Sequence, residues 1–220
     1  MREQDIVWIV IAGIALLVGL LVIVVKRSSS SLNELLMRTA ASFGWEGVRR
    51  TWWNGALRGT WRGFPVALQH MNRYKGIPER VQITFQTQIA GRLIVKRRTG
   101  GFLNKPMTLF GPPLVEPMNF AARDNYWIRS DQAMLVETFF SRGDAGAALD
   151  PNLVAAFDVV DLRPNQLRIL RAVDDRAVKQ RFGRPRFQWK RDLELIETIA
   201  TEEWRLACAT VDSLGLLPRK

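Results

Sequence analysis

Residues 57–68 read LRGTWRGFPVAL, two short runs of alternating side chains split by Arg62-Gly63. Alternation with a period of two marks strands, and a two-residue turn ending in glycine closes a hairpin, so the stretch predicts an antiparallel pair with Trp61 beside Phe64. In that register Leu57, Trp61, Phe64, Val66 and Leu68 share one face, and Arg58 and Thr60 share the other. The first face is core; the second is basic and wet.

Upstream, Asn54-Gly55 is the strongest hairpin dipeptide of the chain and predicts a two-residue turn pairing Trp53 with Ala56, Trp52 with Leu57 and Val48 with Trp61. That adds Val48 and Trp52 to the apolar face, and Arg49, Thr51 and Trp53 to the basic one. Downstream, RVQITFQTQIA (residues 80–90) alternates Val81, Ile83, Phe85 and Ile89 against Gln82, Thr84, Gln86 and Gln88, and RLIVKRR is its expected hairpin partner after Ala90-Gly91. The fold class expected is α+β: an N-terminal transmembrane helix, then an antiparallel meander sheet packed by short helices and a long C-terminal amphipathic helix.

The helices follow from spacings of three and four. Leu32, Leu35, Leu36, Thr39, Ala40 and Phe43 form a stripe that Gly44 ends, expected to dock on the domain rather than lie on a bilayer. Residues 99–117 are rich in Gly and Pro and aperiodic, and Asn125 to Arg129 reads as a short strand. Asp131 is placed to cap a helix reaching Phe140, and Asp150-Pro151 to open another through Phe157. Gln166–Val173 and Ala177–Phe182 read as a hairpin around Asp174-Asp175. The stripe Trp189, Leu193, Ile196, Ala200, Trp204, Ala207, Val211 and Leu214 predicts a closing helix that stops at Gly215.

Ile6 to Val25 is a run of 20 residues without a charged side chain, and as a helix it would cross about 30 Å of hydrocarbon. The tail before it is net acidic and the run ends in VVKRSSSS, which fits a permanent anchor better than a cleaved signal. Lys26, Arg27 and Arg38 outweigh Arg2 and the terminal amine, so the bias places the soluble part in the cytoplasm. Ala15 and Gly19 form a small-xxx-small pair through which two anchors could touch. The organisation expected is an anchor with its flanks over 1–27, a linker and short helix over 28–44, and one α+β domain over 45–220.

The net charge of +11 is not spread evenly. Residues 26–105 hold fifteen cations against three carboxylates, whereas residues 106–220 hold sixteen of each sign. The excess therefore lies next to the anchor, where an anionic leaflet rewards each well-placed cation by on the order of 1 kcal/mol.

Catalytic and metal chemistry find little purchase. Cys208 is the single cysteine, so an intrachain disulfide and a four-thiolate zinc site are excluded. His70 is the single histidine and falls on the core side near a strand end, where a structural role is expected. Asp144, Asp150, Asp158, Asp161, Asp174 and Asp175 lack the spacing of a calcium loop, and no cofactor or metal is expected. KRRTGGFLNK (residues 96–105) lacks the order of a nucleotide loop. Its cations could hold an anionic headgroup with Phe102 entering the interface, or form a solvated hairpin end with Phe102 tucked back. The residues expected to bind an anionic surface or lipid are Arg49, Arg58, Lys96, Arg97, Arg98, Phe102 and Lys105.

The N-terminal span, the short helix, Gly44-Trp45, the strand LRGTWRGFPVAL and the final amphipathic helix together resemble a loose group of uncharacterised bacterial single-pass membrane-anchored proteins. The resemblance implies an inner-membrane protein and no particular activity. The leading expectation is a non-enzymatic domain at the cytoplasmic face of that membrane, binding a partner protein or anionic lipid. An enzyme on an anionic or lipid-linked substrate is the alternative, and would need a concave pocket where carboxylates meet Arg58 or Arg97. A nucleic-acid tether is disfavoured, because no recognition motif accompanies the basic face.

Overall fold

The computed structural model describes residues 13–19, 31–51, 56–71, 79–98, 112–116, 126–141, 155–173 and 193–219. Its strands are β1 (Glu46–Arg50), β2 (Leu57–Trp61), β3 (Phe64–Met71), β4 (Arg80–Gln88), β5 (Leu93–Arg97), β6 (Tyr126–Ser130), β7 (Ala155–Arg163), β8 (Gln166–Val173) and β9 (Leu217–Pro218). Four helices are described: α1 (13–19), α2 (31–42), α3 (Ala133–Ser141) and α4 (Leu193–Leu214). The class is α+β with an antiparallel sheet, ordered β1-β2-β3-β4-β8-β7-β5-β6, with β9 beside β4.

The β2–β3 hairpin has the expected register, Trp61 opposite Phe64 and Leu57 opposite Leu68. Arg62 and Gly63 take φ of +48° and +80°, the left-handed pair of a turn whose twist matches that of the strands. Arginine adopts that conformation at a cost, and here its guanidinium lies 4.4 Å from the Trp61 ring centre and 3.5 Å from Asp212 Oδ1.

Three expectations about the strands are corrected. Arg50 pairs with Leu57 and Arg49 with Arg58, and the Thr51 N–H donates to Ala56 O at 2.8 Å. The β1–β2 connection therefore spans the four residues between Thr51 and Ala56 and is not a two-residue Asn54-Gly55 turn; residues 52–55, Trp52 and Trp53 among them, lie outside the described residues. A slip of two residues keeps Arg49 on its face, so alternation alone cannot detect it, and a further register shift between Glu46 and Arg49 brings Glu46 opposite Thr60. Second, β5 does not pair with β4. The β7–β8 hairpin stands between them, and the chain leaving β4 runs over its tip, with Thr87 N–H donating to Asn165 O and Ile89 N–H to Pro164 O. Residues 89–92 span five Cα steps, about 17 Å of extended chain, enough to cross three strand spacings of roughly 14 Å. Third, β8 occupies Gln166–Val173 as anticipated, but its hairpin partner is β7, so Ala155 to Phe157 is strand and not helix. Asp150-Pro151 and residues 177–182 lie outside the described residues.

The short strand near 125–129 appears as β6, and α3 begins at Ala133. Asp131 does not serve as the anticipated cap: its carboxylate accepts the Arg92 backbone N–H at 2.7 Å. Helix α2 docks as expected, with Leu32, Leu35, Leu36 and Ala40 buried. Helices α2 and α4 end alike, Trp45 N–H bonding back to Ala40 O and Leu216 N–H to Val211 O.

All three of α2, α3 and α4 contribute to one core under one sheet face, which Leu57, Leu68, Val81, Ile83, Phe85, Leu167 and Ile169 line. Trp204 of α4 is its hub. Its ring stacks on Phe43 at 4.9 Å and on Phe85 at 5.4 Å, and Trp61 meets it edge-on at 5.1 Å. Trp45 reaches the same ring at 5.5 Å by crossing Gly59, where a Cβ would stand 2.9 Å from Glu46 O. Among the described residues no helix is long and apolar enough to cross a membrane. Only 13–19 of the anticipated span is described, helical and exposed.

Candidate anion-binding site

The face of the sheet opposite the core carries the polar half of each alternating strand. Strand pairing brings these residues into rows. One row runs Arg49, Arg58, Ala67, Thr84, Arg168, Asp161, Ile94 and Arg129 across eight of the strands. Beside it, Gln69 stands opposite Gln82, and Gln86 opposite Gln166.

Over β1, β2, β3, β4 and the start of β8 this face is hollowed into a cavity of about 640 Å³. That volume is within the range of small-molecule sites. Arg49 and Arg58 lie at its β1–β2 end, and Gln69, Gln82, Gln86 and Gln166 line the rest. Gln82 Nε2 donates to Thr84 Oγ1 at 3.2 Å, which fixes that carboxamide's direction. Glu46 is the carboxylate among the described lining residues.

Arg49 and Arg58 are direct cross-strand partners, and among the described residues no carboxylate pairs with either. Like charges directly opposite in an antiparallel pair repel. Four other outer-face arginines, Arg98, Arg129, Arg163 and Arg168, are held differently. Asp161, with a side chain only 5% exposed, accepts from Arg163 Nη2 at 2.8 Å and from Arg168 Nη2 at 2.9 Å. That carboxylate's hydrogen bond and charge raise the Arg163 pKa further above its usual value. Arg129 donates to Pro112 O, and Arg98 donates to Tyr126 O with its guanidinium 4.0 Å from the Trp127 ring centre.

The residues anticipated as one basic surface thus separate. Arg49 and Arg58 meet at the cavity. Lys96 is on the same outer face but five strand spacings from β2, about 24 Å away. Arg97 shares the side of Leu93 and Val95, which is the core side, beside Tyr126. Phe102 and Lys105 lie outside the described residues. The carboxamides of β3, β4 and β8 were visible in the sequence as the polar side of alternating strands, but nothing there signalled that they would enclose a hollow with the two arginines.

The core face holds a second polar group. His70 Nε2 is 2.6 Å from Glu79 Oε1, both side chains being buried, so the histidine occupies the structural core position expected of it. Arg171 is fully buried and donates to Glu202 Oε2 at 3.1 Å across the sheet–α4 interface, with Glu203 buried on the same helix. Sequence periodicity puts Arg171 on the apolar side of β8, and that misfit is the one signal that could have revealed the pair. The Cys208 thiol is pushed up to about 12 by burial, then by the charge of Asp212, which leaves it a poor nucleophile near neutral pH. Among the described residues no cluster of His, Cys, Asp or Glu could hold a metal ion. No family model, curated protein or solved structure matches this chain.

Proposed function

We propose that this chain is a membrane-anchored binding module whose sheet cavity takes an anionic group, with an anionic lipid headgroup as the ligand, at the cytoplasmic face of a bacterial inner membrane. The single observation that carries the reading is the Arg49–Arg58 pair: two cross-strand arginines that both line a cavity, with no carboxylate partner among the described residues. An anion bridging them converts a repulsion into two charge-assisted contacts. The apolar run Ile6 to Val25, the cationic excess of residues 26–105 and the resemblance to bacterial single-pass proteins support the anchored, membrane-facing setting.

An enzyme acting on the same ligand class would use the same hollow. Glu46 alone supplies a carboxylate among the described lining residues, and no second acid or base accompanies it there. Binding is therefore the reading the cavity supports best.

Full-length protein in bilayer nanodiscs of phosphatidylcholine, with and without phosphatidylglycerol, tests it through arginine-selective dicarbonyl labelling. Arg49 and Arg58 should be protected when the anionic lipid is present, with protection fading as salt rises. Equal labelling in both bilayers would refute lipid binding at this site. Extraction of the full-length chain by alkaline carbonate would refute the anchor, and digestion of its body by protease added to intact spheroplasts would refute the cytoplasmic orientation.

A further inference from the structure

We infer that the cavity selects a phosphorylated polyol or sugar, an anionic group joined to a hydroxyl-rich body, and not a bare anion; this rests on the anion-binding reading above. The argument is the division of labour along the hollow. At the β1–β2 end, Arg49 and Arg58 supply donors and positive charge, with Glu46 of β1 beside them as the one carboxylate among the described lining residues. Across β3, β4 and β8 the lining changes to Gln69, Gln82, Gln86 and Gln166, each presenting a carbonyl acceptor and an amide donor group.

A polyanion filling the whole hollow would meet those carbonyl oxygens and the Glu46 carboxylate with nothing to donate. A hydroxyl both donates and accepts, and so matches a carboxamide in either orientation. Gln82 is already committed through Nε2 to Thr84, which leaves its Oε1 to receive a ligand hydroxyl. Scale agrees with this. From β2 to β4 is two strand spacings and to β8 three, about 10–14 Å, the reach of a phosphate plus a glycerol or sugar unit rather than of phosphate alone. Headgroups of glycerol- or sugar-bearing lipids and soluble sugar phosphates share this chemistry.

Full-length protein in an uncharged detergent is titrated calorimetrically with glucose 1-phosphate, inorganic phosphate and glucose, and with short-chain phosphatidylglycerol and phosphatidylcholine. Glucose 1-phosphate should bind at least tenfold tighter than phosphate, with glucose and phosphatidylcholine silent. Tighter binding of phosphatidylglycerol than of glucose 1-phosphate assigns the ligand to a lipid headgroup, and the reverse order to a soluble sugar phosphate; either supports the class. Gln82→Leu, or Gln69→Leu on the opposing strand if the first melts early, should reduce the preference over phosphate below threefold without weakening phosphate itself. Arg58→Ala should weaken both ligands at least tenfold. Equal affinities for phosphate and glucose 1-phosphate, or a preference that survives both glutamine variants, overturns the polyol inference while the anionic-lipid reading stands on its labelling result. Silence toward every anion, together with unprotected arginines in anionic bilayers, overturns both.

Discussion

The β7–β8 side of the sheet and its β1–β2 margin treat arginine in opposite ways. On β8, Arg168 is clamped by Asp161 on the outer face and Arg171 by Glu202 beneath it. On β1 and β2, Arg49 and Arg58 face each other with no such clamp among the described residues. Charges that support the fold are built with their counterions attached. A pair left open at the wall of a cavity opposes folding slightly and keeps two cations available, which is what the proposed anion-binding reading requires.

The contrast breaks most visibly where the clamp is deepest. Arg171 has a fully buried side chain and Glu202 is 10% exposed. Arg171→Ala leaves Glu202 facing the core without that partner, and a loss of about 3–5 kcal/mol is expected because removing one member of a buried pair strands the other. Chemical denaturation measures it; a loss below 1 kcal/mol would mean that the pair is not a structural clamp. The outer clamp is shallower, since the Arg163 and Arg168 side chains are 51% and 39% exposed. Asp161→Ala should cost only about 1.5–3 kcal/mol, the worth of charged hydrogen bonds whose donors can turn to water. It should also leave phosphate binding at Arg58 unchanged.

The margin has its own structural dependence on Gly59, because the Glu46 carbonyl oxygen passes too close for a Cβ. Gly59→Ala must push β1 outward and is expected to cost about 1–3 kcal/mol. Unlike Asp161→Ala, it should also weaken anion binding, because Arg49 rides on β1. A stable variant with wild-type binding would show that the β1 position does not matter to the site.

How far these features were legible in the sequence depends on the range of the force that sets them. The β2–β3 register could be read from LRGTWRGFPVAL because its turn and alternation are local. Helix α4 could be read from its stripe for the same reason. The expected β4–β5 pairing does not form, because alternation says that a segment is a strand, not which strand it meets. The insertion of β7–β8 is a long-range choice that no local pattern encodes. The site divides on the same line. Arg49 and Arg58 fell on one face by parity, but joining them to Gln166 required β8 beside β4, and separating Lys96 from them required β5 on the far side of that insertion.

The smallest effect sharpens the comparison most, because it changes sign. Arg49→Glu places an acid opposite Arg58 and gives the margin the kind of counterion that Asp161 supplies to Arg168. Stability should rise by about 0.2–1 kcal/mol, the cross-strand value of replacing a like-charged pair by an opposite one. Both groups are exposed, so added salt should erase the gain. Phosphate affinity should fall at least tenfold in the same protein, since Arg58 is then engaged and the wall of the cavity carries a negative charge. Stability and binding moving in opposite directions is the signature of a surface held open for a ligand. If Arg49→Glu instead destabilises the fold, Arg49 is already serving a structural partner, and the two regions differ only in where their counterions lie.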